Sequence, residues 1–99
     1  KRAPDRWLFV WWEESEDSIL TPQWAIRKKN EIGRTYYQGE EVAPSYLGWR
    51  QISLNGHRGW KVWGTWQNPQ LVAGGPFRLY CFWDRESKRR YIVDGALFA

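Results

Sequence analysis

The sequence offers few side chains that could work together as catalytic groups. His57 is its single histidine and Cys81 its single cysteine. A zinc site needs several nitrogen or sulfur ligands, and no serine stands in the Gly-x-Ser-x-Gly context of a hydrolase nucleophile. We therefore expect no catalytic residues, no metal, no cofactor and no enzymatic activity. Cys81, within an apolar run, is expected to be a buried, inert thiol.

Asp94 is the carboxylate best placed for chemistry, because it lies between Val93 and Gly95 in an apolar stretch. A carboxylate that is buried in such a stretch needs a partner. We expect Asp94 to satisfy a backbone group or to pair with Arg90, which lies four residues earlier on the same strand. An enzymatic alternative would require His57 to lie beside it.

The aromatic residues indicate binding rather than catalysis. Nine tryptophans in 99 residues exceed what one small core needs, so some should form a contact surface. Residues 64–77 carry no charge and include Gly-Gly-Pro, which predicts a loop. Rings there could stack on sugars while amides bind hydroxyl groups. Alternatively, Trp60 and Trp66 share a strand face and belong to the core. The candidate residues for binding a ligand or partner are Trp63, Trp66, Gln67, Asn68, Gln70, Leu71, Gly74 and Gly75.

The positive charge of the chain is concentrated in its C-terminal part. Fifteen basic and eleven acidic residues give a net charge of +4, and residues 42–99 hold the whole excess. Basic strands that also carry aromatic rings could bind single-stranded nucleic acid, although the RNP1 pattern of an RNA-recognition motif is absent. Two basic clusters, which are more often solvated faces, are Arg27, Lys28 and Lys29, and Arg85, Lys88, Arg89 and Arg90.

One helix should position part of these groups. Thr21 can cap free N–H groups and Pro22 suits the first helical position, so we expect a helix from about Pro22 to about Tyr36. Its buried stripe should consist of Ala25, Ile32 and Tyr36.

Strands should supply the remaining structure. The apolar run 7–12 predicts a strand covered on both faces, inside a sheet. Asn55-Gly56 between alternating runs predicts a β-hairpin, and strands at 77–83 and 90–98 predict a second one. We therefore expect a single domain, 1–99, of the α+β class. It should have two layers, with one helix on a mostly antiparallel sheet of about five strands in the order β-α-β-β-β-β.

Five segments in the same order resemble a known family. They are "IRKKNEIGRTYYQG", "LNGHRGWKVWG", Gly64-Thr-Trp66, "GGPF" at 74–77, and "RRYIVDGALFA" at 89–99. The chain is similar to the C-terminal part of a domain of unknown function found in predicted envelope lipoproteins of Bacteroidota. The resemblance implies a lipid-anchored periplasmic or outer-membrane location, with no assigned reaction and no established ligand. It also implies a truncated C-terminal module, whose only membrane attachment would be a lipid anchor on an N-terminal part.

These observations lead to two functional hypotheses. The first is a non-catalytic binding or scaffold module of the cell envelope that recognises a protein or glycan through the loop from Trp66 to Phe77. The alternative, less favoured, is a nucleic-acid-binding domain that uses the basic C-terminal strands and aromatic stacking.

Overall fold

One antiparallel sheet dominates the molecule. The computed structural model describes residues 6–44 and 46–97. Within them it contains six strands and one helix, in the order β1 (Arg6–Glu14), α1 (Pro22–Tyr36), β2 (Glu41–Val42), β3 (Gly48–Leu54), β4 (His57–Asn68), β5 (Ala73–Asp84) and β6 (Arg89–Leu97). The strands are ordered β1-β6-β5-β4-β2, and β3 also pairs with β4.

This architecture corrects the predicted fold class. The protein is mostly sheet, curled into a half-barrel of six strands with one short helix, and is not a two-layer α+β domain with about five strands. The uncharged stretch 64–77 also differs from its prediction. It is not a loop, because β4 and β5 each run for 12 residues and leave only residues 69–72 for the turn between them.

The strand that exceeds the predicted number is β2, which has only two residues. Strand β2 pairs with Trp66 and Gln67 of β4. The N–H of Val42 also donates to Asn30 Oδ1 of α1 at 2.7 Å, which holds β2 between helix and sheet. Two residues make a weak sequence signal, since the strand is defined by these distant partners.

The helix has the predicted bounds. The hydroxyl of Thr21 accepts from the N–H of Trp24 at 3.1 Å, as an N-cap does, and Pro22 begins the helix. Ala25 and Ile32 are buried as expected, but Tyr36 is 70% exposed because α1 extends past the packed part of the sheet. The buried stripe instead includes Lys29.

The sheet has one covered face and one open face. Helix α1 packs on β2 and β4, and its Ala25 joins the core of the sheet. The fully buried core residues of the sheet are Val62, Leu79, Cys81 and Ile92. We call the opposite side, which no described helix covers, the open face.

Strand β1 is at the edge of the sheet and pairs only with β6, which corrects the expectation that it lies inside. Its side chains at Leu8, Val10 and Trp12 are exposed on the open face. The continuous apolar run therefore reflects an uncovered face rather than two covered ones. No helix in the described ranges is both long enough and apolar enough to cross a membrane.

Strands β4 and β5 pack so closely at Gly59 that there is no room for a side chain, which can be tested by substitution. A Cβ atom there would lie 2.0 Å from the carbonyl oxygen of Cys81, whereas a Cβ at Gly95 would meet nothing closer than 3.8 Å. We expect Gly59→Ala to lower the free energy of unfolding by about 1–3 kcal/mol or more, and Gly95→Ala to change it by less than about 0.5 kcal/mol. Urea unfolding followed by tryptophan fluorescence measures both. Equal losses would contradict the described register of β4 and β5.

Candidate functional site

A groove on the open face combines an exposed indole with positive charge. It has a volume of about 1080 Å³. Its lining includes Arg50 of β3, Lys61 and Trp63 of β4, and Pro76 and Arg78 of β5. Strand pairing brings them together, because Arg50 is opposite Lys61 and Trp63 is opposite Arg78. We call this the open-face groove.

The indole of Trp63 is fixed against a glycine. A Cβ atom at Gly48, its partner across the strands, would lie 2.6 Å from the ring, so only glycine leaves room for the indole there. Trp63 nevertheless remains 38% exposed, and Lys61 Nζ lies 5.7 Å from the centre of its ring. The ring thus presents a held, flat surface beside a cation.

The electrostatics of the open-face groove are one-sided. In the described parts of the chain, the side chains of Arg50, Lys61 and Arg78 form no ion pair or hydrogen bond. No acidic residue is among those that line the groove. Three cationic side chains on an open surface therefore produce a field that attracts anions.

On the covered face, an ion pair joins the helix to the centre of the sheet. Lys29 Nζ donates to Asp94 Oδ2, although Lys29 is only 5% exposed and Asp94 is fully buried. The same ammonium lies 4.7 Å from the centre of the Phe77 ring. Burial raises the pKa of Asp94, and the positive charge of Lys29 opposes that rise. No hydrogen bond to Asp94 Oδ1 is found in the described residues.

A smaller cavity lies beyond the C-terminal end of α1. Its volume is about 460 Å³. Its lining includes the aromatic rings of Phe9, Tyr36, Tyr37 and Trp66, the apolar Leu8, Leu71 and Ala73, and the polar Gln38, Glu40 and Asn68. We call it the end cavity.

Glu40 is the unusual residue of the end cavity. It is only 7% exposed, and its carboxyl group forms no ion pair or hydrogen bond with any described residue. Burial raises its pKa, while nearby Lys29 lowers it and Asp94 raises it further. The chain reaches this position because Gly33 has no side chain, since a Cβ there would lie 1.9 Å from the Glu40 carbonyl oxygen.

Asn68 has a structural role at the rim of the same cavity. Its Nδ2 donates to the Tyr37 carbonyl at 3.0 Å, which ties β4 to the end of the helix. Its Oδ1 accepts from the N–H groups of Gln70 and Leu71, at 3.1 and 3.3 Å, and so closes the β4–β5 turn.

Comparison with known proteins adds the family but no reaction. The family model described as "Domain of unknown function (DUF4837)" matches residues 1–99. The chain belongs to this family. No curated protein and no solved structure matches it.

The eight predicted binding residues of this DUF4837 chain do not form one surface. Trp63 lines the open-face groove, whereas Trp66, Asn68 and Leu71 line the end cavity on the other side of the sheet. Side chains on a strand alternate between faces, so residues 63 and 66 point in opposite directions. Trp66 is also 5% exposed and belongs to the core, which was the stated alternative.

The other predicted residues have mainly structural contacts. Gln67 Nε2 donates to Glu41 at 2.9 Å across β2 and β4. Gly74 and Gly75 lie within β5, opposite Gln67 and Trp66. Gln70 lies in the turn and is exposed. Exposed indoles are found at Trp63, within the predicted set, and outside it at Trp12 and Trp49.

His57 and Asp94, the two residues considered for catalysis, lie on opposite faces of the sheet. Asp94 lies on the covered face, while His57 lies at the start of β4 beside Phe82, 5.7 Å between ring centres, on the open face. His57 Nε2 lies 3.9 Å from Asp84. His57 therefore does not lie beside Asp94, as the enzymatic alternative would require. Burial raises the pKa of Cys81 to about 12.

Sequence reasoning missed the partner of Asp94 and the charged residues that line the two cavities, which are Arg50, Lys61, Arg78 and Glu40. Asp94 pairs with Lys29, not with Arg90, whose guanidinium instead donates to the carbonyl of Ile19 at 3.2 Å. One signal was present, because Lys29 stands four residues after Ala25 and three before Ile32, on the buried stripe. Nothing local marks Glu40, since its burial depends on the end of the helix and on β4.

The ion pair between Lys29 and Asp94 makes a prediction about stability. Lys29→Met leaves a buried carboxylate without its cation, so we expect a loss of about 3–5 kcal/mol in the free energy of unfolding at neutral pH. Lys29→Met combined with Asp94→Leu should be more stable than Lys29→Met alone. Arg27→Met, on the exposed side of α1, is the matched control and should stay within about 0.5 kcal/mol.

The pH dependence of Lys29→Met has a defined sign. Without Lys29, the folded-state pKa of Asp94 lies further above its unfolded value, so protonation favours folding. The deficit should therefore be largest at neutral pH and shrink as the pH falls through that raised pKa. Urea unfolding across pH measures it. A deficit that is constant over this range would mean that Asp94 is not the group left unpaired.

Proposed function

We propose that this DUF4837 chain is a non-catalytic binding module of the cell envelope that holds an anionic glycan in the open-face groove. The observation that carries the proposal is the exposed indole of Trp63 surrounded by three cationic side chains without partners in the described chain. The envelope location and a lipid anchor outside this chain are proposed from the resemblance to Bacteroidota lipoproteins.

A glycan suits the groove because sugars present two kinds of surface. The C–H face of a pyranose packs on a flat ring such as Trp63, and Pro76 beside it extends the apolar floor. Acidic substituents need cations, and the planar guanidinium groups of Arg50 and Arg78 can each bind a carboxylate or sulfate through two N–H groups. Lys61 adds a third positive charge next to the ring.

Of the eight residues predicted from the sequence to bind a partner, only Trp63 lines the open-face groove. Trp63 remains a binding residue, whereas Trp66, Gln67, Asn68 and the paired glycines support the strands that carry it. The groove is lined by residues of three neighbouring strands, β3, β4 and β5, together with Leu8 of β1 and residues of β6, which suits a ligand that extends across the sheet.

A uronic-acid oligomer tests the proposed function. We expect hexagalacturonate to bind the wild-type chain, with affinity that falls as salt rises, and neutral maltohexaose to bind at least about tenfold more weakly. Arg78→Ala should reduce hexagalacturonate affinity about tenfold, because a charge-assisted contact is lost. Isothermal titration calorimetry gives each dissociation constant.

The matched control removes the same charge elsewhere. Arg27 is exposed on α1, so Arg27→Ala alters net charge equally and should change the affinity less than about twofold. Equal effects of Arg27→Ala and Arg78→Ala would indicate diffuse attraction rather than a groove, and equal binding of the neutral oligomer would remove the electrostatic argument.

A second candidate function, single-stranded nucleic-acid binding, is favoured by aromatic pairs on the open face. Phe82 and Tyr91 are stacked with ring centres 5.1 Å apart, and the Arg89 guanidinium lies 3.8 Å from the centre of the Trp12 ring. Bases stack on such rings while cations follow the phosphates. If oligothymidylate binds more tightly than hexagalacturonate at the same salt, and Arg89→Ala weakens it, this function replaces the glycan proposal.

A further inference from the structure

Glu40 is a largely buried acid that is not part of the open-face groove. It lies on the covered side of the sheet, just after α1, and lines the end cavity. A buried carboxyl group normally has a hydrogen-bond or ionic partner, because leaving one unpaired is costly. Glu40 has no such partner among the described residues; although only 7% of the residue is exposed, its carboxyl oxygens keep contact with solvent and open onto the end cavity. A largely buried acid whose carboxyl group opens onto a cavity is a feature expected of a ligand site.

The charges around Glu40 leave room for one more cation. The ionisable groups within electrostatic reach of it are Lys29 from α1 and Asp94 from β6. The ammonium of Lys29 is bound by Asp94, and no ion pair joins Lys29 to Glu40. The protein therefore supplies one cation, Lys29, for the two carboxyl groups of Asp94 and Glu40. When Glu40 is ionised, its charge lacks a counter-ion from the protein.

The walls of the end cavity define the rest of the ligand. Phe9 and Tyr37 form an aromatic wall, with ring centres 5.9 Å apart, and Leu71 faces them from the β4–β5 turn. A volume of about 460 Å³ is in the range of small-molecule sites. Aromatic faces attract cations as well as apolar groups.

We propose that the end cavity binds a small primary ammonium ion with an apolar body, with its ammonium group on Glu40 and its apolar body between Phe9, Tyr37 and Leu71. A neutral alcohol of the same shape would supply a hydrogen-bond donor but no charge. An organic anion would meet the carboxyl group of Glu40. Leu8 is the one lining residue that this site shares with the open-face groove, and the proposal does not depend on the function proposed for that groove.

Three probes of similar shape test the chemistry of the ligand. We expect 2-phenylethylammonium to bind the wild-type chain, 2-phenylethanol to bind at least about tenfold more weakly, and 3-phenylpropionate to bind weakest. Trp66 lines the cavity, so its fluorescence, together with NMR shifts near Tyr37 and Leu71, reports occupancy. Equal binding of the ammonium and the alcohol would overturn the proposal.

Neighbouring glutamates provide a matched pair of variants. Glu40→Gln should reduce 2-phenylethylammonium affinity about tenfold, because the charge is lost while the shape is kept. Glu41→Gln removes the same charge at an exposed site that bonds Gln67, and should change the affinity less than about twofold. Equal affinities of the two variants would overturn the assignment of Glu40.

The pH dependence of binding is a second measurement that needs no variant. The ammonium binds the ionised form of Glu40, and burial raises the pKa of that carboxyl. Affinity of the wild-type chain should therefore fall as the pH decreases through the raised pKa, and Glu40→Gln should show a flat profile if it folds. A flat profile in the wild-type chain would overturn the proposal.

Discussion

The contact between Lys29 and Asp94 fixes the relation of helix to sheet. An ammonium and a carboxylate can both be buried at the covered face only if each satisfies the other, and this requirement keeps Lys29 of α1 within side-chain reach of β6 while the helix packs on β2 and β4. Apolar packing alone would tolerate sliding of a helix whose buried stripe is as narrow as Ala25 and Ile32. The ion pair is specific in position and so sets one arrangement. With the helix held there, one sheet face is covered and the other remains exposed.

The exposure of the second face follows from strand register. On β4, Val62 and Trp66 turn toward the helix, so Lys61 and Trp63 must turn away from it. The neighbouring strands repeat this choice through direct pairing, as Arg78 does opposite Trp63. Positive charge and an exposed indole thus meet because of alternation rather than because of a loop. The rigidity of paired strands keeps them in place before a ligand arrives, which reduces the ordering cost of binding.

The helix and the first hairpin could be predicted because each is determined by residues that are close together in the sequence. The bounds of α1 follow from Thr21 and Pro22, and the first hairpin follows from Asn55-Gly56, whose φ angles of 49° and 81° suit its turn. The extent of β5 was missed because glycines and a proline normally interrupt strands. Pro76 is tolerated because, among residues 6–44 and 46–97, β5 pairs with β6 only from Phe77 onward, so no described ladder bond on that side is broken.

Contacts between distant residues account for most of what could not be predicted. Lys29 and Asp94 are 65 positions apart, and nothing near Lys29 distinguishes it from the two basic residues before it except its place on the helix stripe. The partners of β2 are equally remote.

The two sides of the sheet also carry opposite electrostatic character, with unpaired cations on one and an unpaired carboxyl group on the other. The paired strands of the sheet lie between them. The open groove faces water, where charges are screened, and so it suits attraction of a large anion over a distance. Glu40 is 7% exposed and lines a smaller cavity beside aromatic rings, where a charge is screened less than on an open surface, and so it suits direct contact with a small cation.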